Sequence, residues 1–240
     1  GVCSKCVWEF RPEICSDRRN SAWGRKLTAL CDLISCEQDW ALENRTHSNA
    51  FREPLTMCLD PQIWRPDLEV PAELKLAREQ DEIIIVHGFG NADSRTQHSR
   101  DIKGSWAISA AVEKLVAEGF PVRLEVLTKV PSRQMRFLQV QADIIVDQLN
   151  YGRYGAQARE GMMLGKPTIC HLDNRQGRGL QPLKSLAECP LVEATEASIY
   201  DTLKKLIVSP DERARIGAAS RDYALKWHSA DVCAARYERV

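Results

Sequence analysis

From Glu82 onward, short apolar runs alternate with stretches long enough for helices. Glu82–His87 (E-I-I-I-V-H) is continuous and apolar, as a strand buried on both faces would be, and enters a glycine loop, Gly88-Phe89-Gly90. Between Ser105 and Glu118 the apolar residues Ile108, Ala111, Val112, Leu115 and Val116 recur at helical spacing, and Gly119-Phe120-Pro121 stops the run. Val122–Val126 alternates with period two and predicts a half-covered strand near a sheet edge. Ser132 is placed to cap a short helix through Gln141. Ile144–Val146 predicts a strand, followed by a turn bearing Gly152 and Gly155 and an amphipathic helix that ends at Gly165-Lys166-Pro167. Thr168–His171 and Leu191-Val192 read as further strands, and Thr195–Val208 and Asp211–Trp227 as helices.

Strands separated by helix-length segments define an α/β fold, a doubly wound, Rossmann-like parallel sheet with helices on both faces. In such sheets a ligand sits beyond the carboxyl ends of the strands. The loops after Val86 and Val146 are therefore expected to converge on one crevice.

The first 60 or so residues carry a different pattern. Several arginines and the cysteines Cys3, Cys6, Cys15, Cys31 and Cys36 accompany a single strand candidate, Asp32–Cys36, and the proline-bearing stretch Arg52–Pro71 reads as an interdomain connection. The 33 basic and 33 acidic residues balance, leaving no electrostatic footprint for nucleic acid. No apolar run approaches the ~20 residues of a membrane-spanning helix. Cys31, Cys58, Cys170, Cys189 and Cys233 lie among apolar neighbours, as reduced thiols do. A cytoplasmic location is expected, with peripheral attachment to a membrane left open. Cys3-Ser4-Lys5-Cys6, with Cys15 nearby, is half of a zinc knuckle, but the second half is imperfect and free thiols are the plainer reading.

The chemistry concentrates between Ala142 and Pro167. A strand, a glycine turn and a helix start form an anion site, because the first helical N–H groups lack intrahelical acceptors and the macrodipole favours negative charge. Glu160, one turn further in, cannot bind phosphate but can accept hydrogen bonds from sugar hydroxyls. Earlier, Arg100-Asp101-Ile102-Lys103-Gly104 places two cations before a helix, suited to a diphosphate; a solvated basic turn is the plainer alternative.

The segment resembles the donor-site signature of GT-B-fold glycosyltransferases of the group 1 family. Ala142-Asp143 opens the motif, Tyr154-Gly155 matches its F-G, Glu160 its second glutamate, and Gly161–Pro167 its close. The first glutamate of the family's pair falls on Gly152. The resemblance implies a carboxyl-terminal donor-binding domain over residues 61–240, preceded over residues 1–60 by a remnant of the amino-terminal domain and the start of the linker. It implies that Lys103 and Arg100 contact the donor diphosphate and that Glu160 holds the ribose. The expected donor site is Gly88, Phe89, Gly90, Arg100, Lys103, Gly155, Ala156, Gln157 and Glu160, with catalytic residues unassigned.

The implied activity is transfer of a sugar, hexosyl by type, from a nucleotide-sugar to a sugar, lipid-linked or protein acceptor, with retention of anomeric configuration. No metal or other cofactor is expected to be required, the nucleotide-sugar serving as donor substrate. Acceptor chemistry would lie on the other domain, so this chain alone is expected to bind donor but transfer poorly. A non-catalytic nucleotide-binding or assembly module on the same fold is the alternative, supported by the missing carboxylate at Gly152. For His87 and His171, structural roles stand beside functional ones.

Overall fold

A computed structural model describes residues 15–35, 47–89, 101–172 and 183–239. Its centre is a parallel sheet of four strands: β3 (Ile83–Phe89), β4 (Val122–Thr128), β5 (Ile144–Val146) and β6 (Thr168–Ile169), in the order β4-β3-β5-β6. Val192 extends it through a parallel bridge to Ile169. The order reverses at β3, which pairs with β4 on one side and β5 on the other, so the carboxyl ends of β3 and β5 flank the topological switch point.

The crossover helices divide between two faces. The helices α2 (Ser105–Ala117) and α6 (Ile199–Ile207) bury Ile108, Leu115, Leu203 and Leu206 against Ile85, Ile144 and Val146. On the other face, Ile84, Val86 and Ile145 meet Leu138 and Met135 of α3 (Ser132–Gln139). There α4 (Ala156–Met163) packs through Met162 and Met163 against α7 (Pro210–His228), whose Tyr223 and Trp227 complete that core. A four-residue helix, α5 (Lys184–Ala187), adds Leu186 to the same cluster, and α8 (Ala230–Tyr237) closes the chain. The fully apolar run in β3 thus reflects burial on both faces, and the period-two pattern of β4 its edge position.

The strand expected to end at His87 continues through Gly88 and Phe89, because both pair with β4, opposite Leu127 and Thr128. Gly88 and Phe89, read as part of a loop, are thus the strand's carboxyl end. Ser132 does not cap α3: Pro131 holds the N-cap position without a side-chain bond, and the helix ends at Gln139. The α6 helix begins at Ile199 rather than Thr195, since the Thr195 N–H donates to Ser198 Oγ at 3.0 Å in a preceding turn.

The amino-terminal part holds an unanticipated helix, α1 (Asp17–Leu30), capped by Ser16 Oγ, and the parallel pair β1 (Ile34–Ser35) and β2 (Ala50–Phe51). The expected connection over 52–71 is fastened to the carboxyl-terminal helices. Leu59 exchanges backbone bonds with His228 and Ala230. Arg221 donates to the carbonyls of Pro61, Trp64 and Met163, and Arg236 to that of Pro54.

Candidate functional site

At the switch point lies a cavity of about 420 Å³. Gly88 and Phe89 at the end of β3, Asp147 and Gln148 just beyond β5, and Gly155, Ala156, Gln157 and Glu160 of the α4 start all line it. Lys103 enters from the turn before α2, and Val130, Met135 and Gln139 contribute from the β4–α3 side. The two glycine-bearing strand ends therefore face one pocket. Gly104 makes the approach of Lys103 possible. Its φ is 72°, and a Cβ there would sit 2.8 Å from Leu149 Cβ.

The dominant electrostatic feature is one that the sequence reading missed. Asp147 is fully buried and forms an ion pair with Lys103, while its other oxygen accepts the Gly155 N–H at 2.6 Å. Burial pushes the Asp147 carboxyl up, but the Lys103 ammonium and the Gly155 N–H outweigh it and hold it below the usual aspartate value. An internal carboxylate thus holds both the cation and the first helical N–H assigned to phosphate. Lys103 keeps capacity for a ligand, because an ammonium has three donors. Gly155 lines the pocket with its N–H committed to Asp147, leaving the N–H groups of Ala156 and Gln157 as the helix-start donors. The signal for Asp147 was present: an aspartate ending an apolar parallel strand stands where ligands bind.

Glu160 lies at the pocket and not on the solvated face of its helix. Its Oε2 accepts from Gln139 Nε2 at 2.8 Å. Desolvation raises its pKa above the ordinary 4.5, opposed by the Gln139 hydrogen bond and reinforced by Asp147. The Gln157 side chain fixes the sheet end: its Oε1 accepts from the Gly88 N–H at 3.1 Å. Arg153, which also lines the cavity, donates to Tyr151 Oη at 3.4 Å.

His87 is a structural residue. Its Nδ1 donates to the Val146 carbonyl at 2.8 Å, and its Nε2 accepts from Ser105 Oγ at 2.9 Å, tying β3 to β5 and to α2. Burial lowers its pKa to about 4, so the ring is neutral near pH 7. His171 pairs with Glu193 at 2.5 Å. Asp143 accepts from the Ile84 N–H at 2.8 Å and from Arg78 at 2.9 Å, a strand-fixing role. Gly90, Arg100, Cys3 and Cys6 lie outside the described residues; Cys15 carries a free thiol. Among the described residues no group of three or more His, Cys, Asp or Glu is placed to hold a metal ion, and no helix is long and apolar enough to cross a membrane.

A doubly wound parallel sheet with a helix-ended crevice at its switch point defines an α/β protein of the Rossmann-like type. Its solved structural neighbours have the GT-B glycosyltransferase fold. Sucrose-phosphate synthase of Thermosynechococcus elongatus superposes with a TM-score of 0.67 at 16% identity, over 99% of this chain and 64% of that one. HepE of Anabaena, solved with UDP and glucose, gives 0.64 at 11% identity, over 95% of this chain and 68% of that one. A glycosyltransferase of Rickettsia africae gives 0.63 at 10% identity, over 97% and 67%. The chain spans about two thirds of the length of each of these proteins. No protein-family model matches it, and no curated protein matches it by sequence. The fold anticipated from the 142–167 motif is the fold observed.

Proposed function

We propose that this chain is the donor-binding part of a group 1 glycosyltransferase that uses a nucleotide-sugar. The observation that carries the reading is the juxtaposition of Lys103, the α4 start and the desolvated carboxylate Glu160 in one cavity at the switch point. The cation and the helix start suit a diphosphate; the carboxylate suits a ribose. Structural neighbours support the reading, including HepE with its bound UDP and glucose. Residues 61–240 would be the donor domain, and residues 1–60 the end of an amino-terminal domain and its linker, whose remainder would supply the acceptor site.

In the proposed reaction the nucleoside diphosphate leaves as negative charge accumulates on its outer phosphate and an oxocarbenium-like sugar develops. Lys103, the N–H groups of Ala156 and Gln157 and, by sequence, Arg100 meet that charge. A divalent cation is not required in this scheme, and the resemblance favours retention at the anomeric carbon. The donor is a hexosyl nucleotide in the same reading, and the acceptor a sugar, a lipid-linked carrier or a protein. Asp147 keeps the Lys103 ammonium in place before the ligand arrives.

Calorimetric titration of the chain with a panel of nucleoside diphosphates and their sugar conjugates tests this directly. Binding of at least one, competed by its sugar conjugate, is expected; no heat with any of them at millimolar concentration would overturn the reading. A non-catalytic nucleotide-binding module keeps a claim from one observation. Gly152 replaces the family's first glutamate and has φ 75°, a conformation that a glutamate would adopt only with strain. Sugar transfer or nucleotide-sugar hydrolysis by a chain carrying both domains separates the two.

A further inference from the structure

A nucleoside diphosphate bound as proposed leaves one stretch of the cavity wall unassigned. Tyr151 and Arg153 both line the cavity and are half-buried, so neither is closed off from it. Gln148, 2% exposed and just beyond β5, fixes both ends of their turn with one amide. Its Oε1 accepts from the Tyr151 N–H at 2.5 Å, and its Nε2 donates to the Arg153 carbonyl at 2.8 Å. The same Nε2 donates to the His171 carbonyl at 2.6 Å, which ties the turn to the β6 side of the sheet. Where the family's motif carries a glutamate, this turn has Gly152 at φ 75°, and the next residue is a cation. The Arg153 guanidinium stands 5.5 Å from the centre of the Tyr151 ring.

The wall is thus built in three parts. Glu160 meets Gln139 on the α3 side, Lys103 and the α4 start stand between, and the Tyr151–Arg153 turn lies toward β6. A nucleotide-sugar has the same order of parts: nucleoside, diphosphate, sugar. With the ribose at Glu160 and the diphosphate at Lys103, the transferred sugar falls against Tyr151 and Arg153. Resting on the nucleotide-sugar reading, we propose that this wall selects an acidic sugar, a hexuronosyl group whose carboxylate is held by Arg153. A neutral sugar offers hydroxyls, which need acceptors as well as donors. A guanidinium has five N–H donors and accepts nothing. Of the two carboxylates that line the cavity, Glu160 is on the α3 side, and Asp147 has one oxygen on Lys103 and the other on the Gly155 N–H. A carboxylate on the sugar ring accepts only, and meets the planar fork of an arginine with two parallel bonds.

The test is calorimetry on the full chain with two sets of probes. One set is UDP, UDP-glucose, UDP-galactose and the matching glucuronic and galacturonic acid conjugates; the other is GDP, GDP-mannose and GDP-mannuronic acid. At least one acid conjugate should bind about ten- to a hundredfold more tightly than its neutral counterpart, the weight of a bidentate charge-assisted pair. Arg153→Gln should erase that preference and bind the nucleoside diphosphate alone as the wild type does, which also shows the cavity intact. Arg153→Lys keeps the charge without the fork and should retain only part of the preference. A wild type that binds no acid conjugate more tightly than its neutral counterpart overturns the inference, as does a preference that survives Arg153→Gln. Equal weakening of the nucleoside diphosphate and both kinds of conjugate by Arg153→Gln overturns it too, because Arg153 would then serve the diphosphate or the fold. Absence of binding by every nucleoside diphosphate would instead remove the nucleotide-sugar reading itself, and this inference with it.

Discussion

At the scale of single residues, Glu160 and Asp147 are both carboxylates at the pocket, with opposite electrostatics. Glu160 has a raised pKa, so its ionisation costs stability: the fold is favoured while Glu160 is protonated and loses stability as pH rises from about 4.5 through the raised value. Glu160→Gln should therefore leave the fold equally or more stable at neutral pH in a urea titration. The same substitution should weaken nucleotide binding by about 1–3 kcal/mol, because a charged acceptor is lost, and leave inorganic pyrophosphate binding almost unchanged. Parallel loss for both ligands would show a role in holding the pocket's shape. Asp147 has a lowered pKa, so its contribution is present above the ordinary value of 3.8 and lost only as pH falls through the depressed one. Its dependence on Lys103 is mutual. Lys103→Met leaves a fully buried carboxylate unpaired and should cost about 3–5 kcal/mol of stability by chemical denaturation, beyond any loss of ligand affinity. If Asp147→Leu, made in the Lys103→Met background, restores none of that loss, the pair is not what matters.

At the scale of elements, the site depends on how α4 is seated. Its far end packs on α7 through Gly165 and Gly217, where a Cβ added to Gly217 would lie 2.4 Å from the Gly165 carbonyl oxygen. Backbone cannot yield as a side-chain tip can, so the two elements must separate. Gly217→Ala is expected to destabilise by about 1–3 kcal/mol, the usual cost of overpacking. Because α4 carries the helix start and Glu160, nucleotide affinity should fall as well, though residue 217 lines no part of the cavity; unchanged affinity with reduced stability would show that α4 keeps its seat. The elements that were legible without the structure share one property: they bury a face. The strand Ile144–Val146 and the helix Ser105–Ala117 announce themselves through apolar spacing. The helix Asp17–Leu30 buries none of its residues: Trp23, Leu27 and Leu30 recur at helical spacing, but that stripe stays exposed, and the sequence reading passed it over. The α8 helix escaped notice because a single residue, Ser229, separates it from α7.

At the scale of the whole molecule, two buried histidines set the acid limit. The ordinary histidine value is 6.5; burial lowers His87 to about 4 and His228 to about 3, with Arg159 and Arg236 adding to the effect at His228. Below pH 6.5 the unfolded chain takes up protons that the folded chain refuses, so stability falls with pH over that window. Each ring contributes up to ~1.4 kcal/mol per pH unit, or about 2 kcal/mol from each between pH 6.5 and 5. Urea midpoints should therefore drop measurably between pH 7.5 and 5, with Glu160, whose carboxyl protonates more readily in the fold, working against the drop as pH approaches 4.5. A flat profile over that range would mean that both rings take up protons in the folded state.

The sequence by itself determined the alternation of strand and helix, the glycine turn before α4 and the place of Glu160 on its helix, because each rests on neighbours within a few turns of chain. Only the tertiary structure decided what those residues face. Lys103 meets Asp147 across 44 residues, Gln139 meets Glu160 across 21, and His87 meets Val146 across 59. Burial then settles their chemistry: it makes His87 a neutral strut, Asp147 a counter-ion and Glu160 a reluctant acid. Desolvation and charge pairing depend on what surrounds a group in space, and local spacing along the chain carries no record of it.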